Sequence, residues 1–251
     1  MADAISRAFG RAAASYDEHA QLQRVVREEC IGMAAECWQA GSRVLDLGCG
    51  TGAFSEEIRQ RNLDWLVTQA DLAQGMCEAA RKHNPLVVNA EAGALPFADG
   101  CFDGLFSSLM LQWAGGPLKV FREMARVVRP GGVGMVSTLT QGTLSELREA
   151  FAAIDDAPHV NDFADPAPLT ALAVHAGFRL LACEREIFTI YYPDAVTLMR
   201  ALKAIGASSV SGRRGGMMTP RKLKVLEQTY KRSRKGLPAS WSVLYMLLER
   251  T

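Results

Sequence analysis

The sequence predicts an α/β protein built on a mostly parallel sheet with helices on both faces. Two observations carry this. Between residues 43 and 139, short apolar runs alternate with helical patterns, as parallel strands and their crossover helices require. Past residue 140, two long strand-like runs lack a full crossover pattern between them, which indicates an antiparallel strand at one edge.

The elements follow in chain order. "RVLDLG" (43–48) reads as a short buried strand ending in a turn, and "AFSEEIRQR" (53–61) as a helix. "WLVTQAD" (65–71) is the second strand, "AQGMCEAARKH" (73–83) its helix, and "LVVNAE" (86–91) the third strand. "CFDGLFSSL" (101–109) is the fourth strand and "PLKVFREMARVV" (117–128) an amphipathic helix. Arg129-Pro130-Gly131-Gly132 breaks that helix and turns into "VGMVSTL" (133–139), the fifth strand. Residues 142–154 and 166–178 read as helices, and 179–192 and 241–250 as long strands. Ahead of the sheet, "SRAFGRAAASYDEHAQLQR" (6–24) reads as a half-polar helix carrying Phe9 and Tyr16.

The 251 residues suit a single domain, and 49% hydrophobic content supports a sizeable core. No apolar run is long enough for a membrane helix, and the N-terminus lacks a signal-peptide stretch, so a cytoplasmic location is expected. Cys30, Cys37, Cys49, Cys77, Cys101 and Cys183 form no C-x-x-C pair. No histidine cluster completes a zinc set, so buried or half-buried thiols and no metal are expected. The net charge of +1 conceals an asymmetry. The stretch 193–238 holds eleven basic and two acidic residues, a local +9 against −8 for the rest. Such a lobe is a solvated face or a surface that steers an acidic partner.

Gly48, Gly50 and Gly52 follow the first strand and precede a helix, a loop that lets a ligand approach the backbone. Read loosely, Gly48-x-Gly50-x-x-Ala53 also fits a dinucleotide fingerprint. Asp46, two residues before Gly48, would repel a pyrophosphate and suits a ligand with a positive amino group. S-adenosylmethionine carries an ammonium and a sulfonium and no phosphate. Asp71, at the end of the second strand, can accept hydrogen bonds from both ribose hydroxyls, and Glu91-Ala92 at the third can meet an adenine amino group.

"VLDLGCGTG", Ala70-Asp71 with Met76, "GALPFADGCFD" and "RVVRPGG" resemble the class I S-adenosylmethionine-dependent methyltransferases over residues 42–140. That class implies a Rossmann-like seven-stranded sheet whose last strand is antiparallel. It adds Leu72 and Ser108 to the donor contacts. "AFGRAAASYDEHAQLQ", "SSLMLQW", "TLTQGTLSEL" and "LKAIGA" together resemble the malonyl-acyl-carrier-protein O-methyltransferases of biotin synthesis. Glu91 departs from the wider class, which has Asp there.

The resemblance implies methyl transfer from S-adenosylmethionine, leaving S-adenosylhomocysteine, to the free carboxylate of a malonyl thioester. That carboxylate, with a pKa of about 4, is already ionised at neutral pH and needs no general base. It needs in-line placement and exclusion of water. Residues 1–40 would then form a helical lid in which Tyr16 positions the reactants. Residues 41–192 and 239–251 would form the core, and 193–238 a basic insertion that attracts the acidic carrier protein. Arg213 and Arg214 would grip the acceptor carboxylate, and Gln112 and Trp113 would line its side of the pocket. A monomer is expected.

Three other readings are weighed. A methyltransferase of another small molecule, lipid or RNA fits the class motifs, although Tyr230 is the sole aromatic in the basic stretch for base stacking. A non-catalytic S-adenosylmethionine sensor would carry the same acids. A dinucleotide oxidoreductase is disfavoured by Asp46.

Overall fold

The computed structural model describes residues 2–205 and 219–251. Seven strands form one sheet in the order β3-β2-β1-β4-β5-β7-β6. They are β1 (Arg43–Leu47), β2 (Leu66–Asp71), β3 (Val87–Asn89), β4 (Phe102–Ser108), β5 (Val128–Leu139), β6 (Phe178–Tyr192) and β7 (Leu237–Arg250). The first five pair in parallel, and β7 runs antiparallel to both β5 and β6. The expected α/β class and single antiparallel strand are present, but that strand, β7, lies between β5 and β6, so the edge expected to be antiparallel is formed by β6 instead.

Alternation along the strands sends side chains to two cores. Val44 and Phe106 face one core, and Leu45 and Leu105 the other. The first core is closed by α3 (Gln21–Ala35), α4 (Ala53–Gln60), α7 (Ser145–Ala152), α9 (Ala195–Ala204) and α10 (Pro220–Thr229). The second is closed by α6 (Pro117–Val127) and α8 (Pro166–His175), while α5 (Gln74–Ala80) packs beside β3.

Four expectations are corrected. The segment before the sheet is three helices, α1 (Ala2–Ala12), α2 (Tyr16–His19) and α3, because the chain turns at Ala13–Ser15 and again at Ala20. Arg129–Gly132 does not separate helix from strand. Phe102 pairs with Val128 and Gly104 with Val133, so these residues form a bulge inside β5, turned by Gly131 at φ 74°. The basic insertion ends earlier than 238, since Leu237 already pairs with Tyr192. Cys183 is exposed on edge strand β6, whereas Cys30, Cys49 and Cys77 are buried.

The described residues between β6 and β7 are tied to the rest of the chain by caps and ion pairs. Asp194 caps α9 by accepting from Thr197 N at 2.7 Å, and Thr219 caps α10. Lys222 pairs with Asp155 and Lys231 with Glu149, each at 2.6 Å. Arg200, Lys203, Arg221, Lys224, Arg234 and Lys235 are exposed. Among the described residues, no helix is long and apolar enough to cross a membrane.

Candidate functional site

The carboxyl ends of β1, β2, β3 and β4 open on one side of the sheet. The strand order reverses between β1 and β4, the place where open α/β sheets leave a crevice. A cavity of about 320 Å³ lies there. The glycine loop forms its floor. Gly48 leaves β1 at φ 78° and donates to Ala70 O at 2.8 Å. Gly52, at φ 90°, starts α4 against Ala80, whose Cα a Cβ would meet at 2.9 Å.

Asp71 ends β2 and lines the cavity. Its Oδ2 accepts from Gly50 N at 3.0 Å and its Oδ1 from Ala73 N at 2.8 Å. Burial raises its pKa to about 6, and these two N–H groups oppose the rise. Asn89 Nδ2 donates to the carbonyls of Asp71 and Leu72 at 2.9 Å and fixes the turn that presents both. Gly48, Gly50, Leu72, Met76, Glu91, Ala92, Ser108, Trp113 and Tyr16 share the same cavity.

Three expected residues stand elsewhere. Asp46 is 2% exposed and absent from the cavity wall; in the sheet it sits opposite Gln69, whose Nε2 donates to Asp46 Oδ2 at 2.8 Å. Burial raises the pKa of Asp46 to about 7. Gly52 faces α5 rather than the cavity. Gln112 lines an adjoining smaller cavity, and its amide is engaged: Nε2 donates to Leu109 O at 2.6 Å and Oε1 accepts from Thr138 Oγ1 at 2.9 Å. Arg213 and Arg214 lie outside the described residues.

Ala2, Ile5, Phe9 and Tyr16 of the N-terminal helices line the cavity. Ser6 Oγ donates to Leu72 O at 3.2 Å, and Gly10 and Gly75 bring α1 and α5 into backbone contact. Thr51 Oγ1, in the glycine loop, donates to Asp17 Oδ1 at 2.8 Å and ties α2 to the floor. Phe9 meets Trp113 edge-on at 5.3 Å. Burial, then the charges of Asp71 and Asp17, raises the Tyr16 pKa, so its phenol stays a neutral hydroxyl. Sequence reasoning missed Ile5 and Phe9 as wall residues, although their i, i+4 spacing places them on one helix face. It also missed Lys119, whose stem packs on Gly93 at the rim. Among the described residues, no group of three or more His, Cys, Asp or Glu is placed to hold a metal ion.

Residues 45–136 match a family model described as a methyltransferase domain. A malonyl-acyl-carrier-protein O-methyltransferase of Serratia marcescens is 40% identical over 98% of this chain and 95% of its own. The biotin biosynthesis bifunctional protein BioHC of Cellvibrio japonicus is 36% identical over 97% of this chain, which spans 49% of that protein. Among solved structures, a Bacillus halodurans protein described as a methyltransferase superposes with a TM-score of 0.63 at 14% identity, covering 89% of this chain and 97% of its own. That likeness concerns the fold.

Proposed function

The chain belongs to the malonyl-acyl-carrier-protein O-methyltransferases, S-adenosylmethionine-dependent enzymes of class I, and from that membership we propose how its cavity works. The protein methylates the free carboxylate of a malonyl thioester carried by an acyl-carrier protein, acting in the cytoplasm as a monomer. The observation that carries this reading is the cavity at the strand ends, with the Asp71 carboxylate held at its floor by backbone N–H groups.

The cavity suits the methyl donor. Asp71 accepts from the two ribose hydroxyls, Glu91 and Ala92 meet the adenine edge, and Met76 and Leu72 pack on its faces. Gly48 and Gly50 let the amino-acid end approach. When bound, S-adenosylmethionine supplies an electrophilic methyl group on a sulfonium. A carboxylate oxygen of the acceptor bonds to that carbon as the carbon–sulfur bond breaks, and the electron pair stays on sulfur. Opposite charges cancel as the methyl moves, so a dry pocket favours the transition state. Tyr16, Phe9 and Trp113 exclude water and set the line of approach, and no side chain needs to move a proton.

The pKa of Asp71 gives a pH test. Ribose hydroxyls donate to the ionised carboxylate, so donor binding favours loss of the proton. With Asp71 raised to about 6, donor affinity is full above that pH and falls as Asp71 protonates below it. Asp46, raised to about 7, ionises after it and off the cavity wall. Calorimetry is expected to find binding about tenfold weaker at pH 5 than at pH 7, with proton release near pH 6. A flat profile over that range removes Asp71 from the donor site.

The exposed cations of the insertion steer the acidic carrier, and Arg213 and Arg214 hold the malonyl carboxylate. The double change Arg213→Ala/Arg214→Ala is expected to raise the acceptor KM at least tenfold and leave donor affinity unchanged. Wild-type kinetics would remove both from the site. The functional reading is tested by intact-mass analysis of malonyl-carrier protein incubated with enzyme and S-adenosylmethionine. One added methyl is expected, and an unchanged mass counts against the reading.

A further inference from the structure

Beside the donor cavity lies a second, smaller one of about 50 Å³. The two share Phe9, Tyr16, Leu109 and Trp113 as a common wall. Trp241, on β7, lines the smaller cavity. Trp241 is 3% exposed, and its indole N–H is buried without a hydrogen-bond partner. Gln23 lines the same cavity, and its amide oxygen is also buried and unpaired.

Buried polar groups are nearly always paired, so two unpaired ones on one small cavity call for a reason. An indole N–H can only donate, and the missing partner is therefore an acceptor. A carboxamide presents either its oxygen or its NH2 to the same space, so Gln23 accommodates an acceptor by turning over. Of the other polar groups on the wall, the Gln112 amide is engaged as described, His159 Nε2 pairs with Asp155 Oδ1 at 2.7 Å, and the Tyr16 hydroxyl meets the Gln23 side chain. Size narrows the choice. At roughly 10–15 Å³ per water-sized group, the space admits about four heavy atoms. That matches the CH2–COO⁻ end of a malonyl group and is too small for a nucleobase.

We propose that this cavity is the acceptor subsite and that the Trp241 N–H determines acceptor specificity by donating to an oxygen of the malonyl group. The inference rests on the functional reading above. The four shared residues border both cavities, so the held group lies next to the donor cavity with Tyr16 and Trp113 flanking the line of approach.

The test is steady-state kinetics with malonyl-carrier protein and S-adenosylmethionine, alongside calorimetry of donor binding. Trp241→Phe removes the N–H and keeps an aromatic ring. Benzothienylalanine at position 241 keeps the indole shape with sulfur in place of N–H, and decides the matter if the phenylalanine variant does not fold. Both are expected to raise the acceptor KM about tenfold or more, the effect of one hydrogen bond to a charged group, with donor affinity unchanged, and the shape-preserving benzothienylalanine protein is also expected to keep the parent's melting temperature. Wild-type KM in the benzothienylalanine protein overturns the inference, as does a KM rise matched by an equal loss of donor affinity, which is a packing effect. Active parent enzyme with unaltered variant kinetics sinks this inference alone. A parent that transfers no methyl to malonyl-carrier protein sinks the functional reading and this inference with it.

Discussion

Asp71→Ala is expected to abolish measurable donor binding. Two hydrogen bonds to an ionised carboxylate are worth about 1.5–3 kcal/mol each, so affinity falls at least a hundredfold. The loss is not expected to reflect unfolding. Burial raises the Asp71 pKa above its unfolded value, so the charged form opposes folding at pH 7, and removing it relieves that cost. Against this, Gly50 N and Ala73 N lose their acceptor. The two effects oppose, and the melting temperature should move little while donor affinity collapses. Calorimetry with the purified variant decides it: unchanged affinity would sink the pocket assignment.

Gly48→Val is expected to cost both stability and donor binding. The residue sits at φ 78°, where a side chain adds about 1–2 kcal/mol of strain. Its new Cβ would lie 2.4 Å from Met110 Cγ and 2.5 Å from Met110 Cβ. Because one of these atoms is close to the backbone, the turn at Leu111–Trp113 must shift, and Trp113 with it. The combined penalty of about 2–4 kcal/mol predicts a melting temperature lower by roughly 5–10 °C. Donor binding should be lost even below the melting point. A variant that melts early yet binds the donor like the parent would show that this loop does not line the donor site.

Much of the fold was legible because strand and helix periods differ and the parallel strands are nearly all apolar. The residues found lining the cavity at the strand ends, Gly48, Gly50, Asp71, Glu91 and Ala92, were legible because glycine turns and strand-end acids sit at fixed places in the chain. What escaped the sequence has physical causes. Asp46 has the spacing of a ligand contact, yet spacing does not reveal the neighbouring strand. Its carboxylate meets Gln69, directly opposite in β2, and that pairing turns it from the cavity. The run Ala12-Ala13-Ala14 reads as helix on propensity, but the chain breaks there so that α2 can reach Thr51. Arg129-Pro130-Gly131-Gly132 reads as a break, whereas a strand can absorb such residues as a bulge. Trp241 reads as one more core aromatic on an apolar strand. That its N–H lacks a partner emerges once β7, α3 and the loop after α7 are placed around one space.

The most direct measurement of the central claim is methyl transfer from labelled S-adenosylmethionine to malonyl-carrier protein, with acetyl-carrier protein as the control that lacks a free carboxylate. Label on the malonyl thioester alone is the predicted result. Label on neither, with donor binding intact, would keep the fold and the donor cavity and contradict the acceptor.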